Sequence, residues 1–146
     1  MINVYAGSVL AVLGTVDPQT VANTEKFTDV VDMSDTDQLL GVASLGDWAN
    51  ETIDFKAYSC DSDGSNAAAL KAATQLAASA TVNDNAQIVI AVKASELLAS
   101  GKRHIKFGLV SGSTTGGLAS VLVLGLALRY GLAGDQDLAT VKQIKQ

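Results

Sequence analysis

A chain of 146 residues, 48% hydrophobic and 17% charged, has the size and apolar content of one folded domain, which excludes disorder over most of its length. A formal net charge of −5 argues against a nucleic-acid binder driven by phosphate contacts. One Cys and one His exclude an internal disulfide, a thiolate zinc cluster and multi-histidine metal sites, so neither a metal nor a cofactor is expected.

The N-terminus, Met1-Ile2-Asn3-Val4-Tyr5, has no basic n-region, and no signal peptide is expected. Residues 1–13 alternate loosely, and 1–25 is read as an opening strand or arm. Residues 26–146 are then the body of a single sandwich domain. Pro18 falls in a polar link after the first strand. Residues 26–33 and 39–45 are weaker strand candidates. Over 52–60 the alternation is clear: Ile53, Phe55 and Ala57 point one way, and Thr52, Asp54, Lys56 and Tyr58 the other.

Residues 66–79 are Ala-rich, and the helix propensity of alanine predicts a short helix there. Period two resumes at 87–93, where Ile88, Ile90 and Val92 share a face. Residues 94–100, with Ser95-Glu96-Leu97-Leu98, predict one helical turn. Strand 104–110 puts Ile105, Phe107 and Leu109 inward and His104, Lys106 and Gly108 outward. Residues 118–130 are apolar on both faces. One carries Leu118, Ser120, Leu122, Leu124, Leu126, Leu128 and Tyr130, and the other Ala119, Val121, Val123, Gly125, Ala127 and Arg129, made mostly of smaller residues. At eleven residues, 118–128 is far short of the about 20 that a membrane helix needs, and no membrane partner is expected. Polar turns at 61–66, 83–85 and 111–117 separate these strands. The pattern predicts an all-β, mainly antiparallel β-sandwich or jelly roll with one or two short helical segments.

Candidate chemistry is sparse. Asp61-Ser62-Asp63-Gly64-Ser65-Asn66 superficially resembles a calcium loop. Gly64 is fourth rather than sixth, however, and Ala72 stands where the bidentate Glu belongs, so an Asp/Gly turn is the reading. Asp32, Asp35 and Asp37 are read as solvated loop acids. Cys60 and His104 are the residue types of a nucleophile–base pair, but nothing in the sequence places them together or supplies an orienting third group. No catalytic residue is assigned. Asn50-Glu51-Thr52 matches a glycosylation sequon. Lys102-Arg103-His104-Ile105-Lys106 is the one basic run, read as a solvated strand edge or as a contact for an acidic partner surface.

From about residue 27 to 129 the chain resembles small tailed-phage proteins that decorate the capsid, the cement proteins. The marks are an ordered series. A strand ends in an acidic turn at Ala57-Tyr58-Ser59-Cys60-Asp61-Ser62-Asp63-Gly64, and a small-residue stretch follows. A turn at Asn83-Asp84-Asn85 leads into the strand 88–92. The basic connector Lys102-Arg103-His104-Ile105-Lys106-Phe107-Gly108-Leu109 comes next, and a Ser/Gly hairpin at 111–117 enters a long apolar strand. The resemblance implies a non-enzymatic virion protein on the capsid exterior, bound to the major capsid protein as a homo-oligomer, most simply a trimer. A phage head–tail or tail component is the alternative, and a small-ligand-binding jelly roll a more distant one. A monomer would prefer a polar second face on the last strand, so Ala119, Val121, Val123, Gly125, Ala127 and Arg129 are the interface candidates. Lys102, Arg103 and Lys106 are the candidate capsid-contact patch.

Overall fold

The structure, a computed structural model, describes residues 10–48, 50–79 and 81–128. Over these the chain forms β1 (Leu10–Val21), β2 (Lys26–Phe27), β3 (Val31–Asp32), β4 (Thr36–Trp48), β5 (Ile53–Cys60) and β6 (Ala68–Ala72). Then come β7 (Gln87–Lys93), a 3-10 helix (Ala94–Ser100), β8 (His104–Ser111) and β9 (Gly117–Leu128). The strand pairs are antiparallel and build two sheets. The first has the order β1-β9-β4-β7; the second has β2-β8-β5-β6, with β3 also paired to β8. With β2 and β3 taken as one interrupted strand, the order is that of an eight-stranded jelly roll. The antiparallel all-β sandwich read from the alternation is therefore the fold, with 94–100 as its short helical turn.

Alternation becomes burial. Along β7 the residues alternate exposed and buried without a break. Ile53, Phe55, Ile88, Ile90, Ile105, Phe107 and Leu109 all lie in the core. Leu97 of the 3-10 helix joins them. Both sheets contribute large side chains to the core. The second sheet supplies bulk, with Phe55 and Phe107 stacked at 5.7 Å between ring centroids. On the first sheet Gly41 lies against the Phe107 ring, while Leu39, Leu45 and Trp48 of β4 and Ile88 and Ile90 of β7 supply bulk of their own to the core. A Cβ added at Gly41 of β4 would lie 2.5 Å from the Phe107 ring, so that position has room for glycine alone.

Burial corrects the reading of β9. Ala119, Val121 and Val123 are 4%, 2% and 0% exposed and belong to the core, and Gly125 is buried with them. Leu118 and Leu122, by contrast, are 55% and 39% exposed. The face expected to meet a neighbour is the inner face, packed in the core cluster with residues of the second sheet. Ala127 belongs to β9, while Arg129 and Tyr130 lie outside the described residues.

Two more expectations are corrected. Within the Ala-rich segment, Ala68–Ala72 is strand β6, paired with β5 along the sheet edge, and Leu76 bridges to Ile53. Tertiary pairing overrides a propensity worth only tenths of a kcal/mol per residue. Pro18 lies inside β1, within the register shift between Val16 and Gln19, where an edge strand tolerates a residue without an N–H.

Candidate interaction surfaces

The basic run sits at the start of β8, on the outer face of the second sheet. Lys102 Nζ pairs with Asp61. Arg103 reaches Asp32 at 2.9 Å. Lys106 Nζ donates to the Gly64 carbonyl at 2.9 Å and lies 4.0 Å from the centroid of the Phe27 ring. All three cations therefore engage the chain's own side chains and loops, and two of them pin the 61–66 turn onto the sheet. That turn is further closed by Asn66 Nδ2 donating to Asp61 at 2.6 Å and the Ser65 N–H donating to Asp63 at 2.9 Å. These hydrogen bonds hold the Asp61 and Asp63 carboxyls below the usual range. Of the candidate capsid-contact residues, Lys102 and Lys106 thus clamp the acidic turn, and Arg103 is paired with Asp32 of β3.

Cys60 and His104, which the sequence left apart, are opposite each other in the β5–β8 register, and Asp32 is opposite His104 in the β3–β8 register. A row Asp32–His104–Cys60 thus crosses three strands. His104 Nε2 stands 3.6 Å from Asp32 Oδ2. Burial pushes the Asp32 carboxyl up, but hydrogen bonds from Ser34 and the charges of Arg103 and His104 outweigh it, and the net direction is down. The thiol goes the other way. Cys60 is 0% exposed, and burial raises it above the usual thiol range. A nucleophilic cysteine needs the opposite environment, one that favours thiolate and admits a substrate. The sequence missed this row because register between distant strands leaves no local mark.

Glu51 was also missed, being read only as the middle of a sequon. Its carboxylate is buried under the hairpin that joins β8 to β9. It accepts from the Ser111 and Ser113 hydroxyls and from the Gly116 N–H, the last at 2.9 Å to one oxygen and 3.1 Å to the other. Those donors, the serine hydroxyls first, hold the carboxyl below its ordinary value. Gly116 has φ +64°, and a Cβ there would meet the Val21 carbonyl at 2.0 Å, so the close approach requires glycine. The Ser/Gly composition of 111–117 was the available signal: a loop rich in donors closes around one anion.

The outer face of the first sheet is an extended apolar surface among the described residues. Reversal of β9 turns Leu118, Leu122, Leu124 and Leu126 outward. Cross-strand register sets Val42 between Leu122 and Val89, and Leu40 between Leu124 and Ala91. Val89 is 53% exposed, and Leu40, Val42, Leu124 and Leu126 are half-buried by one another. Gln38, Ser44, Gln87, Lys93 and Ser120 border these rows. Among the described residues no element packs over them. An apolar centre with a polar rim is the anatomy of a contact surface.

No family model and no curated protein matches the sequence. Among solved structures, the crystal structure of the SPBc2 prophage-derived protein YomS is similar, with a TM-score of 0.52 at 12% identity, covering 86% of this chain and 97% of that one. A structure of Bacillus endospore appendages, described as a family of disulfide-linked pili, gives a TM-score of 0.46 at 11% identity, covering 88% of this chain and 98% of that one. At such identities the likeness to YomS is one of fold.

Proposed function

We propose that this chain is a structural protein of a tailed-phage particle, a decoration protein that binds the outer surface of the head through the major capsid protein and works as a homo-oligomer, with three copies as the form suited to a threefold position. The observation that carries the reading is the apolar outer face of the first sheet, a surface built for association. Two further points support it: the ordered sequence marks that resemble those of cement proteins, and a fold also found in a prophage-derived protein. The buried, protonated thiol beside His104 adds no support for an enzymatic alternative. A jelly-roll core filled by Phe55, Phe107 and their aliphatic neighbours leaves a ligand-binding interior without support.

Purified protein mixed with capsids that lack decoration, followed by sedimentation, tests the reading. Co-sedimentation at a saturating stoichiometry is expected. No uptake by capsids, or uptake only by isolated tails, overturns it, and the second result transfers the protein to the tail.

A further inference from the structure

We infer that the outer face of the first sheet is where copies of this chain meet, each copy turning the same face toward a common symmetry axis. The inference rests on the oligomeric part of the function proposed above and does not depend on the capsid.

The occupant follows from the chemistry of the face. Its centre is Leu40, Val42, Val89, Leu122, Leu124 and Leu126, and the rows that hold them carry no carboxylate. A face without charge at its centre is complementary to itself, so copies of an acidic chain can meet there without opposing like charges, as closed homo-oligomers require. The size is sufficient. Four strands about 4.8 Å apart and five outward positions about 6.8 Å apart along β9 give a face of roughly 500 Å². Covering it on two copies removes on the order of 1,000 Å², the threshold of a specific interface.

The edges of the same sheet are closed to association, which leaves the face. On β7, Lys71 Nζ donates to the Ala91 carbonyl at 2.8 Å, occupying an acceptor that an added strand would use. On β1, Pro18 and two register shifts break the ladder. A lysine cap, a proline and bulges are the devices by which sheets refuse strand addition.

The test is the solution mass of the full chain with Leu122→Lys and Leu122→Glu, measured by light scattering at micromolar concentration, with far-UV circular dichroism as the check on folding. The wild type is expected at two or three times 15.0 kDa, and each variant alone at one chain. An equimolar mixture of the two variants is expected to recover the wild-type mass, because opposite charges then meet near the centre of the face. If either Leu122 variant fails to fold, Val89→Lys on the outermost strand replaces it, with the same expected fall to one chain. A wild type at 15.0 kDa overturns the inference, as does a folded variant of undiminished mass. A single-chain wild type that capsids still take up overturns this inference and the oligomeric part of the proposed function, and leaves its capsid-binding part standing. An oligomer that no capsid takes up does the reverse.

Discussion

Phe107 and Gly41 show how one residue's size dictates another's. The ring stacks on Phe55 and presses on a position where a single added carbon would lie 2.5 Å away. Phe107→Ala is expected to lower stability by about 3–5 kcal/mol, since the fully buried ring leaves a cavity that two stiff sheets cannot close. Gly41→Ala is expected to cost about 1–3 kcal/mol through overpacking. Urea titration of each variant measures both, and a Gly41→Ala midpoint equal to wild type would refute the steric account. Cys60 offers a third check at this scale. Buried and with its thiol raised, it should resist a thiol-directed reagent in the native protein and react at once in denaturant. Fast native labelling would show that the 61–66 turn opens.

At the scale of the element, the Glu51 cradle ties the hairpin joining β8 and β9 to the sandwich, and its energetics have a sign. Hydrogen bonds from Ser111, Ser113 and Gly116 depress the carboxyl in the fold. The unfolded chain therefore binds the proton more readily. The contribution is complete above the unfolded carboxyl value and is lost as pH falls through the lower, folded one. Glu51→Gln presents an amide to a ring of donors and should melt at lower temperature than wild type near neutrality. The gap should narrow as pH falls through the acid range, and a gap independent of pH would refute the role of the charge. The elements themselves were legible in proportion to how local their cause is. Strands β5, β7 and β8 could be read because period two is written in successive residues. Strand β6 could not, because its cause is pairing with β5, while alanine's helix propensity is the local signal. Strand β9 was found but turned over: with both its faces apolar, only packing against the opposite sheet decides which looks inward. The candidate site failed for the same reason, since one reversal exchanges Ala119, Val121 and Val123 for Leu118, Leu122 and Leu124.

For the whole molecule, the jelly roll buries the smaller-residue face of β9 in its core, and the leucines of the opposite face form part of an outward apolar surface. If copies meet on that face, association and folding share one equilibrium, because the native chain associates and the unfolded chain does not. Stability must then depend on concentration. For a dimer or trimer that dissociates as it unfolds, a tenfold increase in protein adds somewhat under 1 kcal/mol per protomer, from the 1.4 kcal/mol that a factor of ten is worth. In a domain of this size that corresponds to a rise in Tm of about 2–4 °C per decade. Leu122→Lys should abolish the dependence. Its Tm should lie at or below the wild-type value at the lowest concentration, because a half-exposed leucine contributes little to the monomer's own core. Calorimetry over two decades of concentration measures the slope in both proteins. A wild-type Tm that does not move would mean that the exposed leucines are carried by a stable monomer, whereas equal slopes in the two proteins would place the contact between copies elsewhere on the molecule.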